Sequence, residues 1–210
     1  MPAIRRPWTG VAVAALLWFY MFSPWTAHIT NFWLNMSVSA VILTLTATCG
    51  RTWSNFRLPE FRKIVFNFTA GAIIAFALWG IFWVGDKLSQ LMFDFARNEV
   101  DGVYAMKDGT SGCLVAVLLL CIVGPAEEYF WRGYVQRTLS GRMGGTKAFI
   151  ITTIVYALVH IWSFNFMLVM AALVAGAVWG VLYRIRPSLL PALIVSHALW
   201  DALVFVILPI

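Results

Sequence analysis

The stretch SGCLVAVLLLCIVGPAEEYFWRGYV (Ser111 to Val135) begins as an unbroken apolar run and then admits Glu127, Glu128 and Arg132. An apolar run of about 20 residues is the length a helix needs to cross a ~30 Å hydrocarbon core. Two adjacent glutamates inside such a run serve neither solubility nor packing, because an ionised side chain at a helix centre costs roughly 2.5–3.5 kcal/mol even on the lenient insertion scale. This one stretch therefore predicts a membrane helix that carries a polar site.

Composition extends the reading to the whole chain. Of 210 residues, 61% are hydrophobic and only 11% charged, against roughly 25% charged in a soluble domain. Too few charges remain to cover a solvated surface. Seven apolar segments recur, at 8–24, 29–49, 64–85, 111–135, 146–162, 164–183 and 188–208. The prediction is an all-α polytopic membrane protein of about seven transmembrane helices, with residues 1–210 as one membrane domain. Arg5 and Arg6 precede the first apolar run as in a signal peptide, but no small-residue cleavage site follows, so a retained first span is expected. The stretch 86–110 reads as a polar outer loop. Leu88, Leu91, Met92 and Phe95 fall at helical spacing within it, which predicts an amphipathic surface helix.

The net charge of +6 would suit nucleic acid if the cations formed one patch, and they do not. They alternate by loop instead. One side receives Arg5, Arg6, Arg51, Arg57, Arg62, Lys63, Arg137, Arg142, Lys147, Arg184 and Arg186, while the other receives only Lys87, Arg97 and Lys107 together with five acids. The positive-inside rule then places the N-terminus in the cytoplasm. Trp8, Trp25, Trp53, Trp83 and Trp162 fall near span ends and read as interfacial anchors. Cys49, Cys113 and Cys121 lack any metal-type spacing and read as small packing residues. The pattern GAVWG (Gly176 to Gly180) predicts close helix contact within the chain.

Six ionisable groups remain inside predicted spans: Glu127, Glu128, Arg132, His160, His197 and Asp201. At 1.5 Å per residue from the nearest charged or breaking residue, all four groups Glu127, His160, His197 and Asp201 come out roughly 15–20 Å above the inner boundary. Three helices thus bring them to one depth. Glu128 and Arg132 are spaced i,i+4, the geometry of an ion pair, and Glu127 is turned about 100° away. That spacing assigns support to Glu128–Arg132 and chemistry to Glu127. Pro125 predicts the first position of a restarted helix, with both glutamates in its first turn. His197 and Asp201 are again i,i+4, and Tyr156 lies one turn before His160.

The motifs EEYFWR, YALVH and HALWD, in this order on successive apolar spans, resemble the CAAX-processing and bacteriocin-processing (CPBP, or Abi) intramembrane proteases over residues 111–208. The resemblance implies an endopeptidase in which Glu127 and His160 activate water and His197 with Asp201 stabilises the oxyanion. It implies supporting roles for Glu128, Arg132 and Tyr156, and no cofactor. Tyr156 stands where the family usually has phenylalanine. Asp201 stands where many members have asparagine, so it must be protonated or orient His197. A prenylated C-terminus, a leader peptide or a sorting tail of an exported protein would each be a membrane-associated substrate. The compact chain and short loops favour a prokaryotic inner membrane and a peptide or tail. Two other readings stay open. Two histidines with one or two carboxylates are also a plausible zinc set, and buried Glu, His and Asp also mark proton-coupled transporters. A non-catalytic scaffold would leave all six groups without a purpose.

Overall fold

The computed structural model describes residues 7–48 and 60–210. Arg5, Arg6, Cys49, Arg51, Trp53 and Arg57 lie outside the described residues. Among the described residues there are seven apolar helices and one short polar one. They are α1 (Pro7–Phe22), α2 (Phe32–Thr48), α3 (Phe61–Met92), α4 (Ala96–Ala105), α5 (Gly112–Met143), α6 (Gly145–Ser163), α7 (Phe166–Ile185) and α8 (Pro187–Ile207). The last four apolar helices and α3 are each long enough to cross a membrane, and α1 and α2 are shorter apolar helices. Strands are absent among the described residues. The protein is an integral membrane protein.

The bundle is apolar outside as well as inside. Leu16, Leu45, Ile73, Phe76 and Ile154 are all exposed, which suits lipid and not water. Most hydroxyls on α2 bond within the helix. Ser37, Thr44 and Thr46 each donate to the carbonyl four residues back, at 2.8 Å, so they carry no unpaired group into the hydrocarbon. Helix α8 is the central element and packs against α3 and α5. Its contact with α5 is close because Gly124 lacks a side chain: a Cβ there would sit 2.6 Å from the Ala198 Cα.

Three sequence expectations are corrected. Helix α3 does not end before Asp86. It continues to Met92, so Leu88, Leu91 and Met92 lie on its last turns and not on a separate amphipathic helix. The polar residues are tolerated there because Asp86 is held by Lys87 at 3.1 Å and by Gln90 at 2.6 Å on the same helix. Pro125 does not restart a helix. Val123 and Gly124 keep right-handed helical backbone, and a π-helical turn over Leu119–Val123 runs directly into them. The wider turn absorbs the missing proline N–H, so the glutamates have no free helix N-terminus beside them. Cys113 and Cys121 are exposed and free, not buried packing residues.

Helix α4 roofs one end of the bundle. Glu99 accepts the Met167 backbone N–H at 2.9 Å, and Asn165 Nδ2 donates to the Glu99 carbonyl at 2.7 Å. Asn165 also caps α7 through Leu168 N–H at 2.7 Å. The chain makes this joint through Phe164, whose φ of 51° lies in the left-handed region.

Candidate active site

The ionisable residues of α5, α6 and α8 meet in two layers. Glu128 and Arg132 form the lower one, both fully buried. Arg132 Nη1 donates to Glu128 Oε1 at 2.6 Å, and its Nη2 donates to the Gly176 carbonyl at 2.8 Å. The guanidinium lies 5.0 Å from the Tyr156 ring centroid and 5.6 Å from that of Trp179. Such a charge is tolerated because carboxylate, carbonyl and two ring faces replace its water. Gly176 makes this possible, since a Cβ there would come 2.8 Å from Tyr156 Cδ1 and 3.5 Å from Arg132 Nη2. One turn on, Gln136 Nε2 donates to the Gly180 carbonyl at 2.8 Å. The glycines of GAVWG thus serve contact inside the chain, and their carbonyls receive the polar side chains of α5.

The upper layer faces a cavity of about 550 Å³, within the usual range for small-molecule sites, lined by Glu127, Tyr156, His160, His197 and Asp201 among mostly apolar residues. Glu128 and Arg132 do not line it. Tyr156 Oη donates to Glu127 Oε2 at 3.0 Å, which leaves Oε1 as the oxygen without a donor among the described residues. The hydroxyl that replaces the family's phenylalanine therefore has a partner, the first glutamate.

The two histidines are held differently. His160 Nδ1 lies 2.8 Å from the Tyr156 carbonyl, so Nδ1 carries the proton. Its Nε2 then accepts the indole N–H of Trp18, 3.0 Å away on α1. Trp18 is buried and was not among the residues singled out from sequence, because a tryptophan in an apolar run looks like packing. His197 stacks on Trp179 with ring centroids 4.0 Å apart. Its Nδ1 lies 3.1 Å from Glu128 Oε1, and its Nε2 lies 3.5 Å from Asp201 Oδ2. The nearer partner of His197 is thus Glu128 on another helix. At 3.5 Å the i,i+4 contact with Asp201 is electrostatic and too long for a good hydrogen bond.

Among the described residues, no three His, Cys, Asp or Glu side chains group as a metal-holding set. Both nitrogens of His160 are engaged, Nδ1 at the Tyr156 carbonyl and Nε2 at the Trp18 indole.

Residues 109–203 match a family model described as type II CAAX prenyl endopeptidase Rce1-like. That is just under half of the chain. It takes in all three motifs and the site residues from Glu127 to Asp201, in agreement with the resemblance that the motifs carry. No curated protein and no solved structure matches the chain. The match supports a membrane protease with a membrane-associated protein substrate.

Proposed function

We propose that the protein is an intramembrane endopeptidase of the CAAX-processing type that hydrolyses a peptide bond with a glutamate-activated water and no metal. The observation that carries this reading is the division of the polar cluster. Glu127, His160, His197 and Asp201 line the cavity, while Glu128 and Arg132 are sealed behind it.

Amide hydrolysis needs a base for water and donors for the developing oxyanion. Glu127 suits the base, with Oε2 fixed by Tyr156 and Oε1 open to water. Water oxygen bonds to the scissile carbonyl carbon as its proton passes to Glu127. The oxyanion is met by His197 and Asp201, with His197 aimed by Glu128 and the Trp179 ring. The C–N bond then breaks as Glu127 returns the proton to the leaving amine. His160 joins Glu127 at the water when its Nε2 exchanges the Trp18 indole for that water. Residues 111–208 form the catalytic core in this reading, and Trp18 adds a contact from outside it. The buried charges serve a site on one cavity and not a proton ladder, which favours a peptidase over a transporter or scaffold. The host membrane is a prokaryotic inner membrane, with the N-terminus in the cytoplasm.

Glu127→Gln removes the base while keeping the size and the Tyr156 contact. Protein termini would be compared in membrane and released fractions of cells carrying wild type or Glu127→Gln. New termini present only with Glu127, at equal protein abundance, are expected. Identical sets of termini would refute the peptidase.

A further inference from the structure

The catalytic cavity lies toward one end of the helix bundle, the open end, and the other end is closed by packed side chains. Phe22 ends α1, Phe32 starts α2, Phe93 follows α3, Tyr104 lies on α4, Phe166 starts α7 and Ile210 follows α8, and all six line the cavity. In a bundle of successive crossing helices, these positions share one end. Toward the other end, α5 runs through Glu128, Arg132, Gln136 and Leu139, all buried. The bonds from Arg132 to the Gly176 carbonyl and from Gln136 to the Gly180 carbonyl cross this region at 2.8 Å each. Two layers of bonded polar groups and packed rings therefore plug the floor beneath the catalytic residues.

The two ends differ in charge. The closed end carries Arg62, Lys63, Arg137, Arg142, Lys147, Arg184 and Arg186 with Glu60. The open end carries Lys87, Arg97 and Lys107 among five acids, and much of that charge is internally paired: Asp86 with Lys87 at 3.1 Å, and Arg97 with Asp101 at 2.6 Å. Basic loops stay in the cytoplasm.

From the cavity's placement at one end of the bundle and this asymmetry together, we infer that the site opens to the non-cytoplasmic face. Its substrate is then an apolar segment of a membrane-anchored polypeptide presented from that face, such as the tail of an exported protein. The inference rests on the endopeptidase reading for the nature of the substrate, and on the cavity's placement with the charge asymmetry of the two ends for the side of access. A lipid-modified C-terminus in the cytoplasm would meet the plugged floor.

Cysteine accessibility tests the side of access without requiring turnover. In a full-length Cys49→Ser, Cys113→Ser, Cys121→Ser background, Ser89→Cys and Ala171→Cys place single thiols on the cavity wall, since Ser89 and Ala171 line it. Gly141→Cys places one at the closed end, where a Cβ meets nothing within 4 Å. A sulfonated, membrane-impermeant maleimide should label the two cavity thiols in right-side-out vesicles and not in inverted ones, with the opposite result for Gly141→Cys. Cavity labelling from the inverted side would overturn the inference. So would reversal of the Gly141→Cys pattern, or cavity thiols that react only after denaturation. None of these results bears on whether Glu127→Gln loses cleavage, so the two readings fail separately.

Discussion

Replacing Tyr156 by phenylalanine deletes one oxygen and isolates one bond. The ring's other contacts persist: Trp131 at 5.3 Å, His160 at 5.2 Å and the Arg132 guanidinium at 5.0 Å. The His160 anchor also persists, because it uses the Tyr156 backbone carbonyl. What disappears is the 3.0 Å bond to Glu127 Oε2. Hydrogen bonds to a charged group contribute about 1.5–3 kcal/mol, and each 1.36 kcal/mol is tenfold in rate. The upper range is thus on the order of a hundredfold. Phenylalanine is the usual residue at this motif position, so the base can be aimed without the hydroxyl, and a loss of about tenfold in kcat is expected. KM should not change, because the hydroxyl is occupied by Glu127 and not by substrate. The assay is initial-rate cleavage of a peptide spanning the mapped cut site, with a thermal unfolding curve on the same preparation. A kcat within twofold of wild type, or a raised KM at unchanged kcat, would refute the positioning role of Tyr156.

Arg132→Ala leaves Glu128 as an uncompensated buried charge. It should cost roughly 3–5 kcal/mol, read as a large drop in unfolding temperature together with lost cleavage; a stable protein would contradict the buried pairing. Asp201→Asn should keep most activity because the amide can donate to an oxyanion, whereas Asp201→Ala should lose it in the same rate assay. If the asparagine variant is as inactive as Glu127→Gln, the carboxylate itself is needed. Trp18→Phe removes the indole N–H that competes with water for His160 Nε2, a bond contributing about 0.5–1.5 kcal/mol. The rate per folded molecule should rise a few-fold, and a clear fall at unchanged folding would show that the indole instead holds the imidazole in its working pose.

The bundle was legible because lipid makes polarity rare. Seven apolar runs show in the sequence, and six ionisable groups stand out against them. The Glu128–Arg132 spacing shows too, because a helix fixes which residues four apart can meet. Contacts between helices leave no such mark. Nothing near His197 points to Glu128 as its nearer partner, and nothing near His160 points to Trp18. The reading of α3 failed for the opposite reason: local polarity at Asp86, Lys87 and Gln90 looked like a loop, although on a helix these side chains bind one another. The π-helical turns at Leu119–Val123 and Trp131–Gln136 likewise have no compositional signature, yet they flank the two glutamates.

The shared oxygen of Glu128 gives the plug a part in the chemistry. Oε1 receives both Arg132 Nη1 and His197 Nδ1, so one atom ties the closed floor to the residue proposed to meet the oxyanion. A support pair that only neutralised itself would have no need to touch His197. Because Arg132 is also fixed to the Gly176 carbonyl, the position of α7 is passed through Arg132 and Glu128 to His197, which itself stacks on Trp179 of α7. Helix α7 carries no ionisable residue among the six, and yet it aims one of them from two directions. That is a physical reason for the glycines of GAVWG to be small: they bring α7 close enough for its backbone to serve as part of the site.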